Sequence, residues 1–347
     1  MNSKFQSIFN LIKAHKTDCF ISTSLITREW LIEANTADFC LIFARNNKIH
    51  VFVDERDITN LKKHNPNLIA HLYKDINTWL DFCKTQKLKS VLFEDNTTSY
   101  EQYIQYIKPL KTKLVSISAD DLRIVKTTDE LKKLQKSADI ITAAIEHLKR
   151  WTKVGHSEIA VAKELYKYVM AHGASGLSFQ TIVSFGENAA DIHSVPTNRK
   201  LKKNEVILVD AGCICQGYCS DITRVWWIGT PPKQIKEMYD VVLKTNLLGI
   251  KNAKANVIGS RLDAVCRNFI KQNWHNYDIP HGVGHGVGRL IHENPRINKI
   301  YHKSLPINSV VTIEPGIYNS KIGGVRIEDT ILITKNGCKV LTSKSPK

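Results

Sequence analysis

The chain has 347 residues, 43% of them hydrophobic and 24% charged, which is long enough for two domains and ordinary for a folded protein, so disorder is excluded. Lysine and arginine outnumber aspartate and glutamate 49 to 33, a formal net charge of +16. The basic residues are spread along the chain, with neither a basic block nor an aromatic-basic reader motif, so nucleic-acid binding is not expected.

The first residues, MNSKFQSIFNLIKAHK, mix lysine with apolar side chains and contain no signal-peptide core, and no apolar run approaches the ~20 residues that span a bilayer. A cytoplasmic location without membrane contact is the expectation. From residue 17 to about 118, β-like runs (DCFIST, FCLIFAR, KIHVFVD, SVLFED, KLVSIS) alternate with helix-like ones (ITREWLIEA, NTWLDFCKTQK, YEQYIQYIK), the pattern of an α/β domain. A long amphipathic helix then opens in KTTDELKKLQKSADIITAAIEHLKRW, where Thr127 and Glu130 have capping-box spacing. The boundary falls just before it, giving domains 1–125 and 126–347.

A second helix, SEIAVAKELYKYVMAHG, closes on Gly173. EVILVDAGCICQGYCSDITRVWWIG reads as two strands meeting at a turn around Gln216 and Gly217. Helices are predicted near 232–254 and 260–273, and the last hundred residues return to strands. The eight cysteines are scattered; Cys213, Cys215 and Cys219 lack a C-x-x-C pair, so they read as reduced strand residues rather than a zinc site.

Four carboxylates interrupt apolar strands of the second domain: Asp210 in VILVDAG, Asp221 in YCSDITRVWW, Glu314 in VVTIEPG and Glu328 in VRIEDTIL. A buried lone carboxylate costs several kcal/mol unless it is paired or bound to metal. Each acid alone reads as an edge residue facing solvent; four together point to one metal centre that compensates them jointly. Asp210 and Asp221 are predicted roughly opposite each other across the hairpin. Oxygen ligands with an imidazole suit Mn, Co, Fe or Zn in a catalytic site, and four carboxylates carry charge for two divalent ions.

In PHGVGHGVGRLIHENP, residues 280–295, His281 and His285 have the spacing of a metalloprotease helix, but interior glycines each cost a helix about 1 kcal/mol. An extended, closely approached backbone is expected instead, with both imidazoles on one face. The segment does not spell G-x-G-x-x-G, so nucleotide binding loses its main support.

The contexts VDAG, SDITR, HGVGHGVG, IEPG and GGVRIED, carrying Asp210, Asp221, His285, Glu314 and Glu328, together resemble the metallopeptidases of the methionine aminopeptidase, aminopeptidase P and prolidase superfamily. The N-terminal α/β domain resembles the one that precedes the catalytic domain in aminopeptidase P, prolidase and creatinase. The resemblance implies an α/β (α+β) chain in which a creatinase-like domain is followed by a pita-bread catalytic domain. By motif position Asp210 would hold one ion, Asp221 and Glu328 would bridge two, and His285 and Glu314 would complete the other, with Mn foremost and Co, Zn or Fe as alternatives. Two such ions lower the pKa of a bridging water and polarise a scissile carbonyl.

The resemblance further implies Glu314 as general base, His193 and His292 as groups hydrogen-bonding substrate, His281 and Arg296 as substrate-binding residues, and Arg326 as an arginine that orients a ligand carboxylate. Taken alone, His193 reads as a surface-loop histidine, Arg326 as a strand-surface arginine and Arg296 as a solvated loop residue. Substrates are peptides with proline at the second position, Trp226 or Trp227 either lines a proline pocket or fills core, and a homodimer is implied. Aminopeptidase P activity is the leading reading and Xaa-Pro dipeptidase the alternative. A non-catalytic binding protein or a creatinase-like hydrolase on the same fold predicts missing ligands, whereas all five are present.

Overall fold

The computed structural model describes residues 3–32 and 40–347, in two compact units, Met1–Arg123 and Ile124–Lys347. The end of ITREWLIEA (Glu33 and Ala34) and the start of FCLIFAR (Phe39) lie outside the described residues.

In the first unit, α1 (Ser3–Ala14), β1 (Cys19–Ser22), α2 (Leu25–Ile32), β2 (Cys40–Arg45), β3 (Lys48–Val53), α3 (Glu55–His64), β4 (Ile69–Leu72), α4 (Ile76–Thr85), β5 (Ser90–Glu94), α5 (Tyr100–Gln102) and β6 (Lys113–Ile117) follow in order. The strands form one mixed sheet, β4-β3-β2-β1-β5-β6. Strand residues alternate between its faces. Phe20, Ile42, Ala44 and Val51 pack into one core cluster, and Cys19, Ile21, Leu41, Phe43 and Phe52 into the other. The sequence reading passes over α1, α3 and β4. In α3 only Leu61 is buried, so the helix carries no apolar stripe, and its signal is the Asp54 cap on the Arg56 amide.

The second unit opens with α6 (Thr128–Trp151), capped by reciprocal hydrogen bonds between Thr127 and Glu130, and α7 (Glu158–Ala171), after which Gly173 turns the chain at φ 93°. Next come β7 (Gly176–Leu177), β8 (Ile182–Phe185), β9 (Val206–Ala211), β10 (Cys213–Cys215), β11 (Tyr218–Cys219), β12 (Ile222–Trp227), α8 (Lys233–Asn252) and α9 (Gly259–Asn273). The chain ends in β13 (Gly284–Gly286), β14 (Glu293–Ile297), β15 (Val310–Ile313), β16 (Gly316–Asn319), β17 (Gly323–Arg326), β18 (Asp329–Ile333) and β19 (Cys338–Val340). Helices α6 and α7 cover the β12-β9-β8 sheet, and α8 and α9 pack on the β14-β13-β15-β18-β19 sheet. Strand β9 joins the two cores: Ile207, Val209 and Ala211 face the first, Val206 and Leu208 the second.

The predicted hairpin is built as four short strands. Gln216 and Gly217 both have positive φ, 53° and 77°, as a type I′ turn requires. A bend at Gly212, where a Cβ would lie 2.0 Å from the Ser220 carbonyl, divides β9 from β10. Among the described residues, no helix is long and apolar enough to cross a membrane. All eight cysteines are free and seven are buried.

Candidate metal centre

Asp210 follows Leu208 on the face of β9 turned toward the second core, so period-two geometry aims an acid where an apolar side chain would otherwise pack. The other three acids stand at strand ends. Glu314 follows β15 immediately and precedes Pro315, which has no N–H to extend the ladder; its own amide donates to Val283 O at 2.8 Å. Glu328 lies between β17 and β18 with its amide on Thr223 O, and Asp221 precedes β12 with its carbonyl accepting from Thr330 Oγ1 at 2.8 Å.

One expectation is corrected here. Asp210 pairs with Thr223 and Ala211 with Ile222, so Asp221 stands one residue beyond the paired end of β12 rather than opposite Asp210. The break after β11 frees its side chain from strict alternation, and the two acids converge from different backbone directions.

The glycine-rich segment is extended. Strand β13 runs between β14 and β15, and a Cβ on Gly284 would lie 2.1 Å from Thr312 O, one on Gly286 2.5 Å from Asn294 O. Only glycine admits neighbouring backbones that close. His285, between these glycines, places Nε2 3.5 Å from both Asp221 Oδ2 and Glu314 Oε1. That is the spacing of atoms that share a cation rather than a proton.

Asp221, His285 and Glu328 each offer a ligand atom within 4.8 Å of the others. Asp210 Oδ1, Asp221 Oδ1 and Glu328 Oε1 are buried without a hydrogen-bond partner. Three orphaned carboxylate oxygens in one buried cluster are costly as anions unless a cation or protons compensate them, so the donor set fits divalent metal ions. Burial, reinforced by the charges of Glu328, Asp210 and Glu314, holds Asp221 well above the usual carboxylate range, and burial lifts Glu314 to about 8. Burial pushes His285 down to about 3, keeping it neutral, the form that ligates metal.

Arg326, at the end of β17, donates to Asp210 Oδ2 at 2.6 Å and to Tyr318 Oη at 3.0 Å. Tyr318 Oη bonds in turn to His281 Nε2 at 2.9 Å, and His281 Nδ1 to Gly282 O at 2.8 Å. Both nitrogens of His281 are thus engaged within the protein, which leaves its ring for contact with a ligand. His292 stacks edge-on against His285 with centroids 4.4 Å apart, and His193 sits exposed on the loop after residue 190. Arg296 is opposite His285 in the β13–β14 register, inside a strand rather than on a loop. Arg326, His281, His292, His193 and Arg296 line one cavity of about 510 Å³ with the four acids and His285, and its apolar lining is Phe179, Ile182, Ile192, Val195 and Ile291. Neither Trp226 nor Trp227 lines it; Trp226 packs against the first core and Trp227 meets Tyr239 edge-on at 5.3 Å.

The sequence reading misses the hydroxyls that hold the acids. Thr223 donates to Glu328 Oε2 at 2.8 Å, and Thr312 Oγ1 accepts the His285 amide at 3.1 Å and contacts Glu314. It also misses the role of Arg224, whose guanidinium is buried between the Thr223, Glu328 and Ser345 carbonyls and Asp329. A threonine or arginine inside a strand leaves no local mark of a partner that lies a hundred residues away.

Residues 132–335 match the model of metallopeptidase family M24, and residues 4–125 that of the Creatinase/Prolidase N-terminal domain. The chain belongs to metallopeptidase family M24. Its M24 relatives include a Mycoplasma genitalium protein, provisionally named an Xaa-Pro aminopeptidase, that is 33% identical over all of this chain and 98% of that one. Among solved M24-type structures, an Xaa-Pro dipeptidase from Bacillus anthracis superposes with TM-score 0.93 at 30% identity, covering 99% of this chain and 98% of that one. An X-Pro aminopeptidase from Thermotoga maritima superposes with TM-score 0.85 at 28% identity, covering 97% of each. The architecture of this M24 chain is the creatinase-type domain followed by the pita-bread catalytic domain, and M24 peptidases are metal-dependent.

Proposed function

We propose that the chain is a dinuclear metallo-exopeptidase that cleaves the bond between an N-terminal residue and a following proline. The observation that carries this is the trio of orphaned oxygens on Asp210, Asp221 and Glu328 in the wall of an open cavity. Four carboxylates and the His285 imidazole line the cavity, and Arg326 takes up only one oxygen of Asp210, so enough donors remain for two divalent ions. Asp210, Asp221, His285, Glu314 and Glu328 would hold two ions, Mn2+ first, with Co2+, Zn2+ or Fe2+ as substitutes. When bound, such ions lower the pKa of water and polarise the scissile carbonyl.

The side chains do the rest. Glu314, ionised when cations are bound beside it, accepts a proton from the attacking water and returns it to the proline nitrogen as the C–N bond breaks. His193 and His292, both in the cavity lining, donate hydrogen bonds to the carbonyl oxygen as charge develops on it. Arg326 fixes Asp210, and His281, held by Tyr318, lines the cavity beside the substrate. Ile192, Val195 and Ile291 offer the proline ring an apolar surface, and proline's missing N–H costs nothing there.

Arg296 favours the second reading, an Xaa-Pro dipeptidase, because a guanidinium in the cavity wall suits the free carboxylate of a dipeptide. The proposal includes a homodimer in the cytoplasm, the assembly to be checked by light scattering. The deciding experiment strips the protein of metal, reloads it with each ion, and measures kcat/KM on Xaa-Pro, Xaa-Pro-Yaa and Xaa-Ala-Yaa peptides. Turnover of the proline tripeptide supports the aminopeptidase, and turnover of the dipeptide alone the dipeptidase. Failure on every proline peptide with every metal would sink both.

A further inference from the structure

We propose that Arg267, on α9 outside the cavity lining, is a positioning residue that sets the His281–His285 segment in register for metal binding. The inference rests on the reading of His285 as a metal ligand.

The guanidinium has five N–H donors, and each has an acceptor. Nε donates to Asp263 Oδ2 at 2.9 Å and Nη2 to Asp263 Oδ1 at 3.0 Å, a bidentate pair within one turn of α9. Nη1 reaches Asp278 Oδ1 at 2.7 Å and the Ile279 carbonyl, and Nη2 reaches the His281 carbonyl at 2.8 Å. Asp263 Oδ1 also accepts the Val283 amide at 3.2 Å. The pair thereby holds peptide groups at 279, 281 and 283, every second residue on the approach to His285. Asp278 is tied from its other oxygen to Lys299 at 2.7 Å.

Such an external clamp is needed because this segment cannot register itself. Gly282 and Gly284 supply no side chain to interlock with neighbours, and β13 has only three residues. Helix α9 is well suited to carry the clamp: Leu262, Cys266 and Ile270 root it in the core, and at its first residue a Cβ on Gly259 would lie 2.3 Å from the Arg296 carbonyl. One helix therefore fixes both the strand bearing His285 and the strand bearing Arg296. Arg267 is 8% exposed and Asp263 1%, so water does not substitute for the lost bonds. Lysine at this position has three donors on one atom and cannot span the same acceptors.

The test uses the full-length protein, stripped and reloaded with Co2+, whose visible absorption reports ligand geometry independently of turnover. Arg267→Lys is expected to change the spectrum and to weaken Co2+ binding and kcat by about 10–100-fold, the usual effect of removing a group that orients a ligand. Arg267→Ala should recover part of both on addition of guanidinium. Asp278→Asn, on the exposed arm of the clamp, should shift the spectrum in the same direction without loss of Tm. Val161→Ala, on the core face of α7, should lower Tm while leaving spectrum and kcat unchanged. A wild type that binds no Co2+ overturns the metal-centre reading and this inference with it. A wild type that binds Co2+, beside an Arg267→Lys variant of unaltered spectrum, affinity and kcat, overturns this inference alone. So does a Val161→Ala variant that loses metal affinity in step with Tm, or unfolded Arg267 variants beside an unshifted Asp278→Asn spectrum.

Discussion

Arg326 Nη2 occupies Asp210 Oδ2 at 2.6 Å and leaves Asp210 Oδ1 buried and unpartnered, so one oxygen of the carboxylate is held by a fixed cation and the other by nothing. Removing the guanidinium strands both oxygens and also releases Tyr318. Arg326→Met should cost the metal-free protein about 3–5 kcal/mol, the loss typical of breaking one side of a buried pair. Urea denaturation of the metal-free protein measures it, and added Mn2+ should restore part of the deficit. An unchanged unfolding midpoint would remove Arg326 from this role.

The metal-free centre should make stability fall with rising pH. Glu314, lifted to about 8, and Asp221 and Glu328, also raised, bind more protons folded than unfolded, so their contribution is complete below the unfolded carboxylate range and is lost as pH climbs through the folded values. His285 and His281, depressed to about 3 and about 4, act oppositely, but their effect is complete by about pH 6.5. From pH 6.5 to 8 these acids dominate, joined up to about pH 7 by buried Glu94 of the first unit, at about 1.4 kcal/mol per pH unit for each group still protonated. Tm of metal-free protein should therefore drop across that window, while saturating Mn2+ should flatten the curve because the ions replace the protons.

Glu314→Gln keeps the shape of the side chain and removes the proton acceptor together with one ligand charge. A fall in kcat of about 10²–10⁴ with a smaller change in KM is expected. Steady-state kinetics at saturating metal checks it, and near-normal kcat would mean that another group moves the proton.

For Arg296 the informative comparison is between substrates. If its guanidinium holds a terminal carboxylate, Arg296→Ala should cost about 1.5–3 kcal/mol of transition-state binding for Xaa-Pro and much less for Xaa-Pro-Yaa. Equal losses on the two substrates would exclude that contact.

Gly284→Ala tests the packing of the ligand strand. The new methyl carbon would lie 2.1 Å from Thr312 O, which belongs to backbone and cannot swing away, so β13 must leave the sheet and carry His285 with it. A stability loss on the order of 3 kcal/mol and loss of metal uptake are expected. Gly337→Ala, where the methyl meets nothing within 4 Å, is the neutral control.

Much of this protein is legible along the chain because the physics is local. Short β-branched and apolar runs mark β1, β2, β3, β5 and β6, and the Thr127–Glu130 cap and its apolar stripe mark α6. The four acids stand out because an apolar context cannot pay for a lone charge, and the glycines around His285 stand out because a helix would not keep them. Tertiary structure decided the rest. It moved Asp221 past the end of its strand, sent both tryptophans away from the cavity, and brought Thr223 and Thr312 to the proposed ligands and Tyr318 and Arg267 to His281. Periodicity fixes the face a side chain takes within its own element. The separation between elements far apart in sequence is set by how two sheets and their covering helices pack, and no local pattern records it.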